Sequence, residues 1–290
     1  MAWIRIQKTR AYYKRFQVQF RRRRDGLTDY QQRRALTIQD KDKYAAPKYR
    51  LVVRRSNKFV TCQIISAHLG GDKIHCAAYS HELPEYGLKA GLNNYAACYA
   101  TGLLCARRML AKIQMADLYK GNTDVSKIVP VEDKDERSAF RCFLDIGLSR
   151  TTTGANVFAA LKGAVDGGLN IPYSGKRLVT GFKNGQVDAK LLADRIYGQH
   201  VASYMTELKG ENADTYKARF SQFIKNGISA ENYKQTIETT HANIRKSPIS
   251  SRKAKASYKY DTKHEVKHTL TQRKDALQAK KLALLSKLTK

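Results

Sequence analysis

Acidic side chains are in short supply. The 290 residues hold 25 Asp and Glu against 54 Lys and Arg, a formal charge of +29 at neutral pH. A compact body with that excess repels itself, and an anionic partner relieves the repulsion. The shortage also starves acid–base chemistry: Glu82 and Glu85 flank Pro84, where both are expected to face solvent. No apolar run approaches the ~18 residues of a membrane span, and no N-x-S/T acceptor occurs. Met1 to Arg10 is too basic and too poor in apolar residues for a secretory leader. The five cysteines, Cys62, Cys76, Cys98, Cys105 and Cys142, are odd in number and form no CxxC pair. Buried, reduced thiols in a cytosolic or nuclear setting are therefore expected, not a disulfide framework.

Catalytic signatures are missing too. There is no GxGxxG, and the one Gly-Lys pair, Gly175-Lys176, has no Gly five positions earlier, so no P-loop is present. His68, His75, Cys62 and Cys76 lack metal-ligand spacing. No Ser/His/Asp set stands out, and no fixed-period repeat is found. No cofactor, metal or catalytic activity is expected.

What is present is charge in blocks. Residues 1–55 hold 17 basic against 4 acidic residues, and residues 245–290 hold 14 against 3. The segment between is nearly balanced, with enough apolar content for a core. Two basic arms on a globular middle follow, and nucleic acid is the partner such polarity suits. Four parts are expected: an RNA-binding arm at 1–46, an α/β core at 47–174, a helical region at 175–246 and a basic tail at 247–290.

Periodicity fills in the middle. Phe16, Val18 and Phe20 alternate with glutamines, an extended pattern, and Asp25-Gly26 marks a turn. Thr28 is a candidate N-cap for a helix running to Lys41. Tyr49–Arg54, Phe59–Ser66 and Lys73–Tyr79 predict an antiparallel meander joined by turns at Ser56-Asn57 and Gly70-Gly71-Asp72. Leu92, Tyr95, Ala96, Tyr99 and Leu103 form a helical core stripe within Gly91–Ile113. Asp117–Arg137 predicts an exposed loop, and alternation from Phe140 to Ile146 a fourth strand. A helix follows Thr151-Thr152-Thr153-Gly154 and ends at Gly167-Gly168. Beyond Val187 the pattern is helical, with an amphipathic stretch from Thr269 to Leu288 suited to docking on RNA or protein. The fold class predicted is α/β: a mixed, mainly antiparallel sheet with packed helices, a helical C-terminal part and basic extended arms.

The strongest site signal is Arg10 to Arg24, RAYYKRFQVQFRRRR, seven cations interleaved with four rings. Guanidinium and ammonium groups release counterions from phosphates, and rings stack on unpaired bases. Thr151, Thr152 and Thr153 place hydroxyls before a helix N-terminus, a second candidate phosphate contact. Two other classes fit a basic chain. A nuclease needs clustered carboxylates or a metal site, which the sequence lacks. A DNA-binding architectural protein is separated by its indifference to the 2′-hydroxyl.

Long segments carry a resemblance: AYYKRFQVQFRRRR at Ala11–Arg24, IQDKDKYAAPKYRLVVR at Ile38–Arg54, CAAYSHELPEYGLKAGLNNYAA at Cys76–Ala97, TGLLCARR at Thr101–Arg108 and SRTTTGANVFAALKGAVDGGLNIPYS at Ser149–Ser174. Together with weaker matches to Pro248, they resemble the eukaryotic 5S-rRNA-binding family of the large ribosomal subunit, the universal "L eighteen" family. The resemblance implies 5S rRNA and large-subunit rRNA as ligands, a place in the central protuberance and a neighbouring 5S-binding ribosomal protein. It further implies an import chaperone and assembly factors, passage through nucleus and nucleolus, no membrane, and a final home on cytoplasmic ribosomes. By the same resemblance Arg10, Tyr12, Tyr13, Lys14, Arg15, Phe16, Arg21, Arg22, Arg23 and Arg24 fall in the RNA-binding arm. Arg33, Arg34, Arg54 and Arg55 fall in adjoining RNA-facing segments. The tail after Ser250 departs from the family pattern.

Overall fold

The computed structural model describes residues 7–44, 46–179, 182–183, 186–249 and 267–288. The tail residues 251–266, expected to be basic and partner-bound, lie outside the described residues. Two compact units are present, residues 1–250 and 251–290.

Helix α1 (Arg10–Arg15) starts where the Thr9 hydroxyl accepts from the Tyr12 N–H. Residues 16–20 then run without helix or ladder, in keeping with their alternation. Helix α2 (Arg21–Arg24) is a single turn closed by Asp25 and by Gly26 at φ +64°. Helix α3 (Tyr30–Thr37) is capped by Asp29, whose Oδ1 accepts from the N–H groups of Gln31 and Gln32 at 3.0 and 3.2 Å. Thr28 is therefore not the cap. A carboxylate beside the first turn satisfies two donors and complements the helix dipole, and the Thr28 hydroxyl accepts instead from Arg22 Nε at 2.8 Å.

Strands β1 (Tyr49–Arg55), β2 (Val60–Ser66) and β3 (Lys73–Tyr79) form the expected meander. A one-turn helix α4 (Leu83–Tyr86) leads to the long α5 (Tyr95–Lys112). Strand β4 (Phe143–Asp145) then pairs with β1 in parallel, giving the order β3-β2-β1-β4. Helix α6 (Asn156–Asp166) follows, and Gly168 at φ +105° turns the chain out of it. The ladder β5 (Phe182–Lys183) and β6 (Gln186–Val187) is short. The helices α7 (Ala189–Ile196), α8 (Gln199–Glu211), α9 (Ala213–Arg219), α10 (Ser221–Lys225) and α11 (Tyr233–Lys246) complete the first unit. In the second, α12 (Leu270–Leu288) exposes Leu270, Leu277 and Leu284.

One sheet face is apolar. Leu51, Val53, Val60, Cys62, Ile64, Cys76 and Ala78 alternate inward, as strand geometry requires, and join α5 and α6 in a single core. Helix α5 starts at Tyr95, not Gly91, because Asn94 Oδ1 accepts from the Ala97 N–H at 2.8 Å. It is buried nearly all round, so its apolar pattern exceeds one stripe. Glu82 also departs from expectation: it pairs with Arg108 at 2.7 Å and is mostly buried. All five cysteines are buried and free, and burial pushes the Cys98 and Cys142 thiols up to about 12.

Helices α5 and α6 run in the same direction. Asn156 Nδ2 donates to Asn93 O at one end, and Arg107 Nη1 donates to Gly167 O at the other. Their backbones touch: a Cβ on Gly102 would lie 2.0 Å from Ala160 O, and one on Gly163 would lie 2.1 Å from Tyr99 O. Beneath the crossing, buried Lys162 meets Asp166 at 2.5 Å, and Tyr99 donates to the same carboxylate at 2.7 Å. Helix α11 packs Tyr233, Ile237 and Ile244 into the core and ties down the 120–122 loop through Arg245.

Candidate RNA-binding interface

From residue 7 to Arg24 the chain carries cations and no carboxylate; Asp25 is the first acid in the sequence. The side chains of Arg10, Lys14, Arg15, Arg21, Arg22, Arg23 and Arg24 are exposed, and none forms an ion pair with a described residue. Rings stand among them. Tyr13, Phe16 and Phe20 are 60%, 55% and 72% exposed, which a protein tolerates where stacking partners arrive from outside. Tyr12 is half-buried between Tyr13 and Phe16, with centroids 5.4 and 5.7 Å away. Phe20 leans on Tyr30 at 5.3 Å, joining the arm to α3. The predicted arm residues thus sit together on one outward-facing segment.

The adjoining arginines divide. Arg34 is exposed on α3 and has no ion pair to a described residue. Arg33 forks onto Asp72, with N–O distances of 2.8 and 2.6 Å, the bidentate geometry that suits guanidinium and carboxylate. Asp72 also meets Arg50, which meets Asp145, and Asp145 in turn holds Arg54 at 2.9 Å. This ladder of three arginines and two aspartates covers the outer face of β1 and β4. It explains why β1 is buried on both faces at Arg50 to Val53. Hydrogen bonding from Arg33 holds the Asp72 carboxyl below its ordinary range. Burial pulls Asp145 upward, but Arg54 and Arg50 outweigh it, and its pKa also lies low. Lys48 Nζ adds bonds to Ala35 O and Ile38 O. Together these contacts hold α3 on the sheet around a cleft of about 450 Å³.

Arg50, Asp72 and Asp145 escaped sequence reasoning. An Arg inside an apolar strand run, with two lone aspartates at strand ends, was the available signal. Arg55 points elsewhere, its Nε donating to Asn93 Oδ1 at 2.8 Å. Thr151, Thr152 and Thr153 do not cap α6: its N-cap is Ala155, with no side-chain bond. Thr152 O accepts from Ala155 N, and Thr151 O from Arg177 Nη1. Gly154 and Ala155 therefore separate the last of the hydroxyls from the helix. Thr153 nonetheless lines a second cleft together with Arg55. Among the described residues, no group of three or more His, Cys, Asp or Glu is placed to hold a metal ion. No described helix is long and apolar enough to cross a membrane.

Comparison with known proteins bears on this arrangement. Residues 14–174 match the family model described as ribosomal large subunit proteins 60S L5, and 50S L18. Residues 234–286 match the ribosomal L18 C-terminal region. The chain is 50% identical over 281 residues to large ribosomal subunit protein uL18 of Dictyostelium discoideum, covering 94% of this chain and 95% of that one. It is 49% identical to the protein of the same name from Drosophila melanogaster, covering 99% and 98%, and 48% identical to that of Helianthus annuus, again over 99% and 98%.

Proposed function

Since the chain belongs to the family of ribosomal large-subunit proteins 60S L5 and 50S L18, and is a structural constituent of that subunit, we propose that it binds 5S rRNA and anchors it in the central protuberance. One observation carries the reading. The carboxylate-free arm, with Arg10, Lys14, Arg15, Arg21, Arg22, Arg23 and Arg24 around Tyr12, Tyr13 and Phe16, leaves its cations without an ion pair to a described residue and the rings of Tyr13 and Phe16 exposed, with Tyr12 half-buried between them.

In this reading residues 1–46 form the RNA-binding arm. The core at 47–174 is a rigid base, the 175–246 helices extend it, and the 247–290 tail is a second basic limb. The ladder through Asp72 and Asp145 serves to aim the arm. Arg34 meets RNA beside it. Arg33 and Arg54, held by carboxylates, act mainly in orientation and offer their remaining edges to phosphate. Side chains cannot enter the deep major groove of A-form RNA, so recognition rests on backbone, shape and unpaired bases. Large-subunit rRNA and the neighbouring 5S-binding ribosomal protein complete the surroundings. Before assembly, an import chaperone shields the arm, and assembly factors receive the 5S particle in the nucleus and nucleolus.

Mobility-shift titration of the full chain with transcribed 5S rRNA tests the reading. A protein neutralising six to ten phosphates loses roughly 10³–10⁵ in affinity between about 50 and 200 mM salt. A matched DNA, lacking the 2′-hydroxyl, should bind more weakly. Equal affinity for both, or binding indifferent to salt, would remove 5S rRNA as the specific ligand.

A further inference from the structure

We propose that the cleft at the shared N-terminal end of α5 and α6 is a phosphate-binding site built by Arg55, Arg195 and His200, and that a backbone phosphate of RNA fills it in the assembled particle. The proposal rests on the RNA-binding reading for its source of phosphate, but not for the chemistry of the cleft.

The cleft measures about 460 Å³, close to the one beside α3. The two differ in how their arginines are satisfied. In the first, Asp72 and Asp145 neutralise the guanidinium groups of Arg33, Arg50 and Arg54, and Arg22 at its rim is without an ion pair to a described residue. In the second, no Asp or Glu is among the described lining residues. Among the described residues Arg55 bonds only through its Nε, to Asn93, so its two terminal nitrogens have no described partner. Arg195, in the last turn of α7, is exposed and forms no ion pair with a described residue. Guanidinium groups set like this are suited to forked contact with phosphate oxygens.

His200 supplies the interior wall. Its Nδ1 is shut away from solvent with no hydrogen-bond partner. Burial, followed by the Arg195 charge, keeps its pKa below the ordinary value, against an opposing pull from the Asp194 backbone. An enclosed ring nitrogen without a hydrogen-bond partner, beside two guanidiniums that have no ion pair to a described residue, is unfavourable until a polar partner arrives.

Backbone geometry adds to the field. Because α5 and α6 run in parallel with Asn156 bonded to Asn93 at their starts, their positive dipole ends lie side by side and reinforce each other. Ala155 offers α6 no side-chain acceptor; the Phe158 N–H donates to Ala155 O, and the Asn156 and Val157 N–H groups have no hydrogen bond to a described residue. Thr153 at the rim is the part of this site that the sequence pattern touched, whereas Arg195 and His200 lie about 40 residues further on, in helices whose packing brings them back.

Two probes on the full chain decide the matter: inorganic phosphate and transcribed 5S rRNA. Inorganic phosphate should raise the Tm of the wild type more than equal ionic strength of chloride. Arg195→Gln and Arg55→Gln should abolish that increment, while Arg195→Lys retains part of it. With 5S rRNA, Arg195→Gln should flatten the plot of log affinity against log salt by about one unit, as loss of a single phosphate contact requires. Lys190→Gln, on the same helix but outside the cleft, should leave the slope unchanged. Circular dichroism identical to wild type establishes that the variants fold. A phosphate increment surviving in both glutamine variants overturns the site. An increment that depends on the cleft, with an unaltered RNA slope, overturns RNA as its occupant. If the wild type ignores 5S rRNA altogether, the proposed function fails, and the phosphate measurements still judge the cleft.

Discussion

Replacing Arg21, Arg22, Arg23 and Arg24 together by Gln should weaken RNA binding while leaving the fold intact. All four are exposed on a single helical turn, and among the described residues the one side-chain bond lost is that from Arg22 Nε to Thr28. Such a bond contributes about 1 kcal/mol, and surface changes elsewhere stay within about 0.5 kcal/mol. The Tm should therefore fall by no more than about 5 °C. RNA affinity has a different scale. Each neutralised phosphate contributes about 0.9 to the salt slope. Four lost contacts should reduce the slope by about 3.6 units. Raising salt roughly threefold, from about 0.1 to 0.3 M, should then cost the wild type ~50-fold more affinity than the variant. Filter binding at several potassium chloride concentrations gives the slope, and thermal denaturation gives the Tm. Slopes agreeing within about half a unit would take α2 off the RNA. A drop in Tm beyond about 10 °C would contradict the exposed placement of these side chains.

Other perturbations test the body of the protein. Lys162→Met strands the Asp166 carboxylate in the core and should destabilise by about 3–5 kcal/mol, read as a Tm fall of ~10 °C; a loss under about 1 kcal/mol would mean that the pair is dispensable. His241 is buried, and burial followed by Arg245 lowers its pKa to about 3. The neutral ring's contribution to stability is thus complete above about pH 6.5 and is lost as pH falls toward about 3, where the unfolded chain alone takes up the proton. Tm measured from neutral to acid pH should decline less steeply in His241→Phe; parallel curves would exclude this histidine as a source of acid lability. Gly102→Ala drives a methyl group into Ala160 O and should cost about 3 kcal/mol or more. Gly210→Ala on α8, with open space around it, should be neutral or gain ~0.5–1 kcal/mol. Urea midpoints compare the two, and similar effects would refute the tight helix crossing.

Local pattern revealed more of this structure than did any motif. The strands showed themselves because Val60, Cys62 and Ile64 alternate, and period two has one structural meaning when turns bracket it. The start of α5 moved by four residues because Asn94 caps it, and apolar periodicity does not register a cap. Thr28 lost to Asp29 in the same way. The arm was legible because its cations and rings are contiguous. The ladder from Arg33 to Arg54 was not. Arg50 and Asp145 are 95 residues apart and meet only once β4 pairs with β1. Glu82 looked solvated beside Pro84 until α5 delivered Arg108. Pairings of this kind depend on topology, which short windows cannot supply.

Two glycines set a dimension of the molecule. With peptide pressed on peptide at Gly102 and Gly163, the relative height of α5 and α6 is a property of main-chain dimensions, with no rotamer able to alter it. Any partner spanning both helix starts meets a gauge already fixed before encounter. It gives up little conformational freedom in the protein on docking, and side-chain drift elsewhere in the core leaves the gauge reading unchanged.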